Sequence, residues 1–476
     1  MQTHLETFQQ FRQALYKSFP YRRDSLLELL DALSSNERAQ SPVELSLNSC
    51  FQRKYGAVYQ AIQASYEESE VPVCSLEAYR QGESVLATIP KPQQKHYTVF
   101  GIDETPNERL YAQCLSDRQN IHRSTQVPGQ VPISLGHNYS VLAVLPEGKE
   151  EDWQRWSVPV SVERVSSLSN AIEVAQGQIA QLLSYRLEQD LGLKVVTLDS
   201  RYPTAIFLYG LRDYKKLVTI ARVRSSRVFY RQPEAQGRKT RPRWYGETFR
   251  LQDATTWSTP TEQYTLSISR ANGSSLVLSM KRWTNLLMRS TRKCPMHKYP
   301  FDLVQIQRLD EQGQPSGRPQ WLLVYGQQRH TLSVEDIQQA YSRRFNLEHF
   351  FGFAKPHLLL TASQTCHTAH EINWVRLACL AHVQLWLARH LVDSLPLPWQ
   401  RYSPLAQTLQ RTPRQIQRGF SQLIRQIGTL ATTPKPRGIP SGRTKGTQLT
   451  PRCRRPIVKF HPPRKRCPCK KAKDAA

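Results

Sequence analysis

Within YSRRFNLEHFFGFAK the chain carries Tyr341, Arg344, Glu348 and Lys355, at intervals of three, four and seven residues. On one continuous helix of about 3.6 residues per turn, these four positions share a stripe roughly 60° wide. A carboxylate flanked by two cations and a phenol suits a metal ion beside a phosphodiester. The acid holds the cation, while Arg and Lys donate to phosphate oxygens. An amphipathic helix with a polar outer face is the plainer reading of the same residues. Two upstream aspartates weigh against it. Asp103 ends the apolar run HYTVFGID, and Asp199 ends LKVVTLD, so both stand at the ends of predicted strands. An Asp in that place commonly caps a turn. With Glu348, however, the pair makes an ordered Asp, Asp, Glu series on strand, strand and helix. Strand ends are where α/β folds build their sites. Phosphodiester chemistry at two divalent cations needs few protein oxygens, because Mg2+ keeps much of its water. Asp190 and Asp213 lie near the second aspartate, but in helical or loop contexts, so Asp199 is preferred.

The elements that must position these acids change character along the chain. Residues 1–95 read as helices joined by polar turns, such as LETFQQFRQALYKSF and SLLELLDALSS; a DNA-contacting region and a docking module fit equally. Residues 96–225 alternate strand and helix patterns: HYTVFGID, YSVLAVLP and SVPVSVERV, a long helix over about 169–191, LKVVTLD, a helix from Pro203 to Leu211, then LVTIARVR. Between 226 and 330 almost every segment is β-type, including QYTLSISR, SLVLSMKRW, FDLVQIQRL and QWLLVYG, which predicts a β-rich insertion. Helical periodicity returns over 331–395, first from Ser333 to Lys355 and then over about 366–392. Pro356 disfavours helical geometry at the residue before it, placing Lys355 at a helix end. Residues 396–476 are a final helix and a basic tail. From Lys435 onward the tail holds fourteen Lys or Arg against one acid, Asp474, with many Pro and Gly. Such a segment buries no core and is predicted to stay unfolded until it meets a polyanion. The fold class is therefore α/β: a mixed sheet flanked by helices, interrupted by the β insertion, with a helical N-terminal region.

Lys and Arg number 65 against 38 Asp and Glu, a formal charge of +27 over 476 residues. That imbalance favours a polyanionic partner, since each phosphate neutralised releases counterions. No membrane partner is expected: the most apolar stretch, about 374–392, is interrupted by Arg376, His382 and Arg389. The N-terminal residues lack a continuous apolar core and a cleavage site, so a secreted protein is not expected. Nine scattered cysteines, an odd number without framework spacing, predict reduced thiols and a cytoplasmic setting.

The spacing of Tyr341, Arg344, Glu348 and Lys355 resembles the signature of a large branch of DDE insertion-sequence transposases, whose ribonuclease-H-like core carries a β insertion before the Glu-bearing helix. VFGIDETP resembles their first-aspartate segment. VVTLDSRYPTAIFL followed by LVTIARVRSSRVFYRQP resembles the second, and PRQIQRGFSQLIRQIGTLATTPKPRGIPSGRTKG the tail of one subgroup. The likeness spans almost the whole chain. It implies metal-dependent cleavage at transposon ends and strand transfer into target DNA. Asp103, Asp199 and Glu348 would be the ligands of two Mg2+ ions, with Mn2+ as a substitute. Tyr341, Arg344 and Lys355 would contact DNA phosphates. The implied partners are transposon-end and target DNA, with a homodimer at synapsis, in the bacterial cytoplasm and on the nucleoid. The sequence departs from the family where Ser200-Arg201-Tyr202 replaces a Gly-Tyr after the second aspartate. A repurposed DNA-binding descendant without activity, and a nuclease of the same core fold acting on RNA or branched DNA, are the alternatives.

Other groupings carry less. His367, His370 and Glu371 have a zincin's composition but not its order, the glutamate lying outside the two histidines. Cys453, His461, Cys467 and Cys469 match no zinc-finger spacing. Trp153, Trp156, Trp244, Trp257 and Trp283 are candidates to stack on bases, though aromatic residues more often fill cores.

Overall fold

The computed structural model describes residues 2–66, 76–123, 129, 131–147, 156–187, 190–234, 243–269, 275–392, 412–436, 442, 444–446, 448 and 452–459. The N-terminal part holds α1 (Gln2–Ser18), α2 (Arg23–Ser34), α3 (Gly56–Ala64) and α4 (Leu76–Ala87). Phe8, Phe11, Arg12 and Leu15 recur at helical spacing on α1 and are all buried. The buried Arg12 guanidinium pairs with Asp31 of α2 and donates to Gln384 Oε1 at 2.7 Å.

The sheet follows with β1 (Tyr97–Glu108), β2 (Gln119–His122), β3 (Ile133–Val144) and β4 (Val158–Val165), then α5 (Ala171–Ser184), β5 (Leu193–Leu198), α6 (Ala205–Gly210) and β6 (Leu217–Val223). Antiparallel β4, β3 and β1 stand in that order, and β5 and β6 add beyond β1 in parallel with it. This mixed sheet flanked by helices is compatible with a ribonuclease-H-like core. The central strands are buried on both faces, which is why LKVVTL is a nearly unbroken apolar run. The predicted helix over about 169–191 is shorter, ending at Ser184; Asn170 and Glu173 form its capping box. The run expected to stop at Asp103 continues to Glu108, because β3 keeps pairing with it from Glu104↔Ser140 to Glu108↔Gly136.

The β-type stretch supplies β7 (Val228–Tyr230), β8 (Thr248–Arg250), β9 (Glu262–Ser269), β10 (Ser275–Leu286), β11 (Phe301–Leu309) and β12 (Pro315–Tyr325). Strands β7 and β8 form a separate pair, whereas β12 joins β6 over Trp321–Tyr325, so that β12, β11, β10 and β9 continue the core sheet. After it come α7 (Val334–Ser342), α8 (Phe345–His357), α9 (Thr368–Ala388) and α10 (Pro413–Ile427). Helix α9 is buried along most of its length, and among the described residues no helix is long and apolar enough to cross a membrane. Phe420 of α10 meets Phe8 of α1 edge-on, with centroids 6.1 Å apart, joining the two ends of the chain in one helical layer.

Candidate functional site

Parallel pairing of β1 with β5 runs from Tyr97↔Leu193 to Gly101↔Thr197. Two residues further on, the same register sets Asp103 level with Asp199 and on the same face, since side chains alternate along a strand. Strand β5 ends at Leu198, so Asp199 is the first residue beyond it, while Asp103 sits inside β1 where its β5-side neighbour runs out. The residue two before Asp103 is Gly101. A Cβ there would come within 2.8 Å of Leu347 Cδ1 and 3.1 Å of Leu145 Cδ1. Glycine thus lets α8 lie close on β1, with Leu347 buried against the sheet and Glu348 beside it at the rim.

The four spaced residues do not share one helix. Arg344 N–H bonds to Tyr341 O at 3.1 Å and Leu347 N–H to Arg344 O at 3.0 Å, both three-residue steps, so a tight turn separates α7 from α8. Tyr341 closes α7 and is buried; Arg344 precedes α8; Glu348 lies in the first turn of α8 and is half exposed. Helix α7 is fixed at its other end by a Ser333–Asp336 capping box. Asp336 also accepts from Lys95 Nζ at 2.7 Å and Tyr97 OH at 3.0 Å, tying it to the start of β1.

Arg344 is the electrostatic hub. Its Nη2 donates to Asp103 Oδ2 at 2.9 Å, and its Nη1 lies 3.8 Å from Glu348 Oε1. Burial pushes the Asp103 carboxyl above its ordinary value. Arg344 and the Glu104 N–H oppose that shift, and the neighbouring charges of Asp199 and Glu348 add to it. Both other acids therefore lie within electrostatic reach of Asp103. Burial works against the charge on Arg344, but Asp103, Tyr341, Asp199 and Glu348 more than compensate and hold it protonated. Burial pushes the Tyr341 phenol up to about 12, so it stays a hydrogen-bond donor at neutral pH. Lys355 stands apart, about 10 Å further along α8. Burial lowers its pKa, and its acidic neighbour is Glu108 at the far end of β1. Helix α8 runs one residue past Pro356, so Lys355 lies in its last turn. The structure thus brings Asp103, Asp199, Tyr341, Arg344 and Glu348 into one neighbourhood and sets Lys355 further along α8.

Glu104 was not anticipated. It accepts from Arg201 Nη1 at 2.8 Å and from the buried Tyr202 OH at 3.3 Å. The Ser200-Arg201-Tyr202 segment therefore fastens the loop after Asp199 to the residue after Asp103, fixing the two aspartates against each other. An acid directly following Asp103, with Arg-Tyr two residues after Asp199, is the sequence signal for this pairing. Glu371, from the zincin-like grouping, is wholly buried: it bonds His137 Nδ1 at 2.6 Å and Asn107 Nδ2, with Arg109 Nε at 3.6 Å. It braces β1 and β3 against α9. Trp156, Trp257 and Trp283 pack in the interior or against it, whereas Trp244 is exposed and stacks on His297 at 4.4 Å. Trp153, His461, Cys467 and Cys469 lie outside the described residues.

Three carboxylates around one guanidinium leave two uncompensated negative charges among these four groups, and oxygen donors of that charge suit a hard divalent cation. As the side chains stand, no group of three or more His, Cys, Asp or Glu among the described residues is gathered closely enough to hold a metal ion. Arg344, between Asp103 and Glu348, occupies the role of counter-cation.

Two acids at adjacent parallel strands and a third on the helix beside them, on a strongly basic chain, are compatible with a nuclease-type enzyme. The chain belongs to the DDE superfamily of endonucleases: the model of that family, "DDE superfamily endonuclease", matches residues 14–285, more than half of the sequence. The match takes in Asp103 and Asp199 and ends before Glu348. Among curated proteins nothing matches the chain. The family implies a DNA substrate, and its members generally work with divalent metal ions.

Proposed function

We propose that this protein is a DDE transposase that cuts DNA at transposon ends and joins the exposed 3′-hydroxyl to target DNA. The observation that carries the reading is the Gly101↔Thr197 pairing of adjacent parallel strands, which leads to Asp103 on β1 and to Asp199 just past β5, with Arg344 reaching both Asp103 and Glu348 of α8. In the first reaction water attacks an end phosphate and the 3′-oxygen leaves as an alcohol. In the second that hydroxyl attacks a target phosphate and expels another 3′-oxygen. Both are in-line exchanges of oxygen at phosphorus, so one site serves both. Asp103, Asp199 and Glu348 would hold two Mg2+ ions, with Mn2+ as a substitute; bound there, the metal activates the incoming oxygen and stabilises the departing one. Arg344 orients a phosphate through its guanidinium fork once it turns from Asp103. Tyr341, kept protonated by burial, donates to a phosphate oxygen, and Lys355 holds the backbone further along α8. Two ends must meet for joining, which favours a homodimer at synapsis, and in a bacterial cell the substrate places the protein on the nucleoid.

Two observations favour a second reading, a DNA-binding descendant without activity: Arg344 stands between two of the acids, and among the described residues no metal-sized cluster is gathered. Cleavage of an end-containing duplex in Mg2+ or Mn2+ separates the two. Asp103→Asn, Asp199→Asn and Glu348→Gln should each lower cleavage at least a hundredfold while leaving duplex binding within about twofold, as expected for groups acting on the transition state. Full activity in any one variant removes that residue from the site. Lys355→Ala should weaken binding to a pre-cut end more than to uncut duplex; equal losses would indicate a general electrostatic effect.

A further inference from the structure

The basic tail does not leave the fold as a wholly free arm. Residues 452–459, RCRRPIVK, lie along the loop that follows β1. Arg455 N–H bonds to Gln113 O at 2.9 Å and Val458 N–H to Arg118 O at 2.9 Å, while Cys114 Sγ lies 3.8 Å from Arg452 O. Most of the docking uses main chain: Arg454, Arg455 and Lys459 are exposed, and Arg452, also exposed, turns its guanidinium to Cys366 Sγ on the lining of the cavity below. No acid interrupts the four cations. Beneath the segment is a cavity of about 610 Å³ lined by Glu108, Arg109, Tyr111, Arg123, Gln364 and Arg452, among others. The Arg109 guanidinium is committed to the cavity wall, donating to Ser363 O at 2.6 Å and Gln364 Oε1 at 2.7 Å. Glu108, the acid on the lining, has Arg123 Nε at 3.7 Å. It is also the acid whose charge acts on Lys355 in the last turn of α8.

We propose that residues 452–459 form a docked cationic strap, which carries the sugar-phosphate backbone of DNA away from the acids, past Lys355 and over this cavity. A loose polycation would bind phosphate anywhere. A strap pinned by two main-chain bonds fixes the direction in which the strand departs. The placement rests on the reading that the acids act on DNA.

The test uses the full chain and a labelled duplex of random sequence, followed by fluorescence anisotropy across a salt series. Replacing Arg452, Arg454, Arg455 and Lys459 together by Ala should reduce the slope of log K against log salt by up to about 3.6, four contacts at about 0.9 each. Val458→Pro keeps every cation but removes one docking donor. It should weaken binding several-fold, and wild-type binding by this variant overturns the docked strap in favour of an untethered polycation. A benzophenone amino acid in place of Tyr111, whose ring is 89% exposed on the cavity lining, should crosslink to DNA in the otherwise native chain and lose that product in the quadruple variant. Crosslinking only to residues 452–459, with DNA present, would make the segment a plug and overturn the proposal. Both readouts are independent of cutting. A chain that crosslinks but never cleaves overturns the transposase reading alone, and one that cleaves without crosslinking here overturns the strap alone.

Discussion

Asp103 carries the conflict between stability and chemistry. It is largely buried and close to two other acids, with Arg344 as its one cationic hydrogen-bond partner among the described residues, and its carboxyl is held above the usual value of 3.8. A group with a raised folded-state pKa binds its proton more tightly in the native state. Its ionised form therefore costs stability above that folded pKa, and the cost fades as pH falls towards 3.8. Asp103→Asn should accordingly be the more stable protein at pH 7, by about 1 kcal/mol, as is common when a functional acid is neutralised. Melting curves of both proteins from pH 7 down to pH 4 check it: the gap should be full at neutral pH and should close on acidification. A less stable Asn variant at pH 7 would mean that the bond to Arg344 outweighs burial. The positions of Asp103, Asp199 and Glu348 were legible as candidates because the two aspartates end apolar β-type runs and the glutamate lies in a helical pattern. Glu104 was not, because its meaning lies in partners nearly a hundred residues away, Arg201 and Tyr202. Local spacing carries no information about such pairs.

At the scale of elements, the convergence of the acids depends on how closely α8 seats on β1. Gly101 has no side chain where Leu347 and Leu145 close in. Gly101→Val would force a branched side chain into that contact at a typical overpacking cost of about 1–3 kcal/mol. Since Leu347 precedes Glu348, the strain should displace the glutamate. Cleavage should fall by at least tenfold while duplex binding stays near wild type, and Gly101→Ala should be milder. An active Gly101→Val enzyme would show that α8 need not lie so close. The strands of this region were readable from alternation and apolar runs; YSVLAVLP, SVPVSVERV, LKVVTLD and LVTIARVR fall in β3, β4, β5 and β6. The break between α7 and α8 was not. Ser-Arg-Arg-Phe contains neither Gly nor Pro, and the turn uses near-helical backbone angles at Arg343 and Arg344 that local propensity does not distinguish from a continuing helix. Nor did composition disclose that part of the tail docks, because two main-chain hydrogen bonds leave no trace in residue type.

For the whole molecule, the run of β-type segments after β6 does more than interrupt the core. Through Trp321–Tyr325 it is hydrogen-bonded into the same sheet as the aspartates, and its far end leads directly into α7. The lead-in is held by a buried ionic knot. Asp302 of β11 takes Arg282 Nη2 at 2.6 Å and Arg329 Nε at 2.9 Å, and Arg282 in turn donates to Leu332 O at 2.8 Å and Arg329 O at 3.1 Å. Leu332 immediately precedes the cap of α7. Although Asp302 is remote in sequence from every proposed site residue, it helps to determine where Tyr341 and Arg344 stand. Asp302→Ala would leave the nearly inaccessible Arg282 with only the half-exposed Glu262, at 3.4 Å, as an acidic partner, a loss of up to about 3–5 kcal/mol for a broken buried pair. Calorimetry should show one unfolding transition at a lower temperature, because β9–β12 and the core share one sheet. Cleavage should fall with it even at temperatures where the variant is still folded. Two separated transitions, or cleavage unchanged in a stably folded Asp302→Ala protein, would instead mean that the β9–β12 strands and the acid-bearing strands behave as independent bodies and that α7 is seated without the knot.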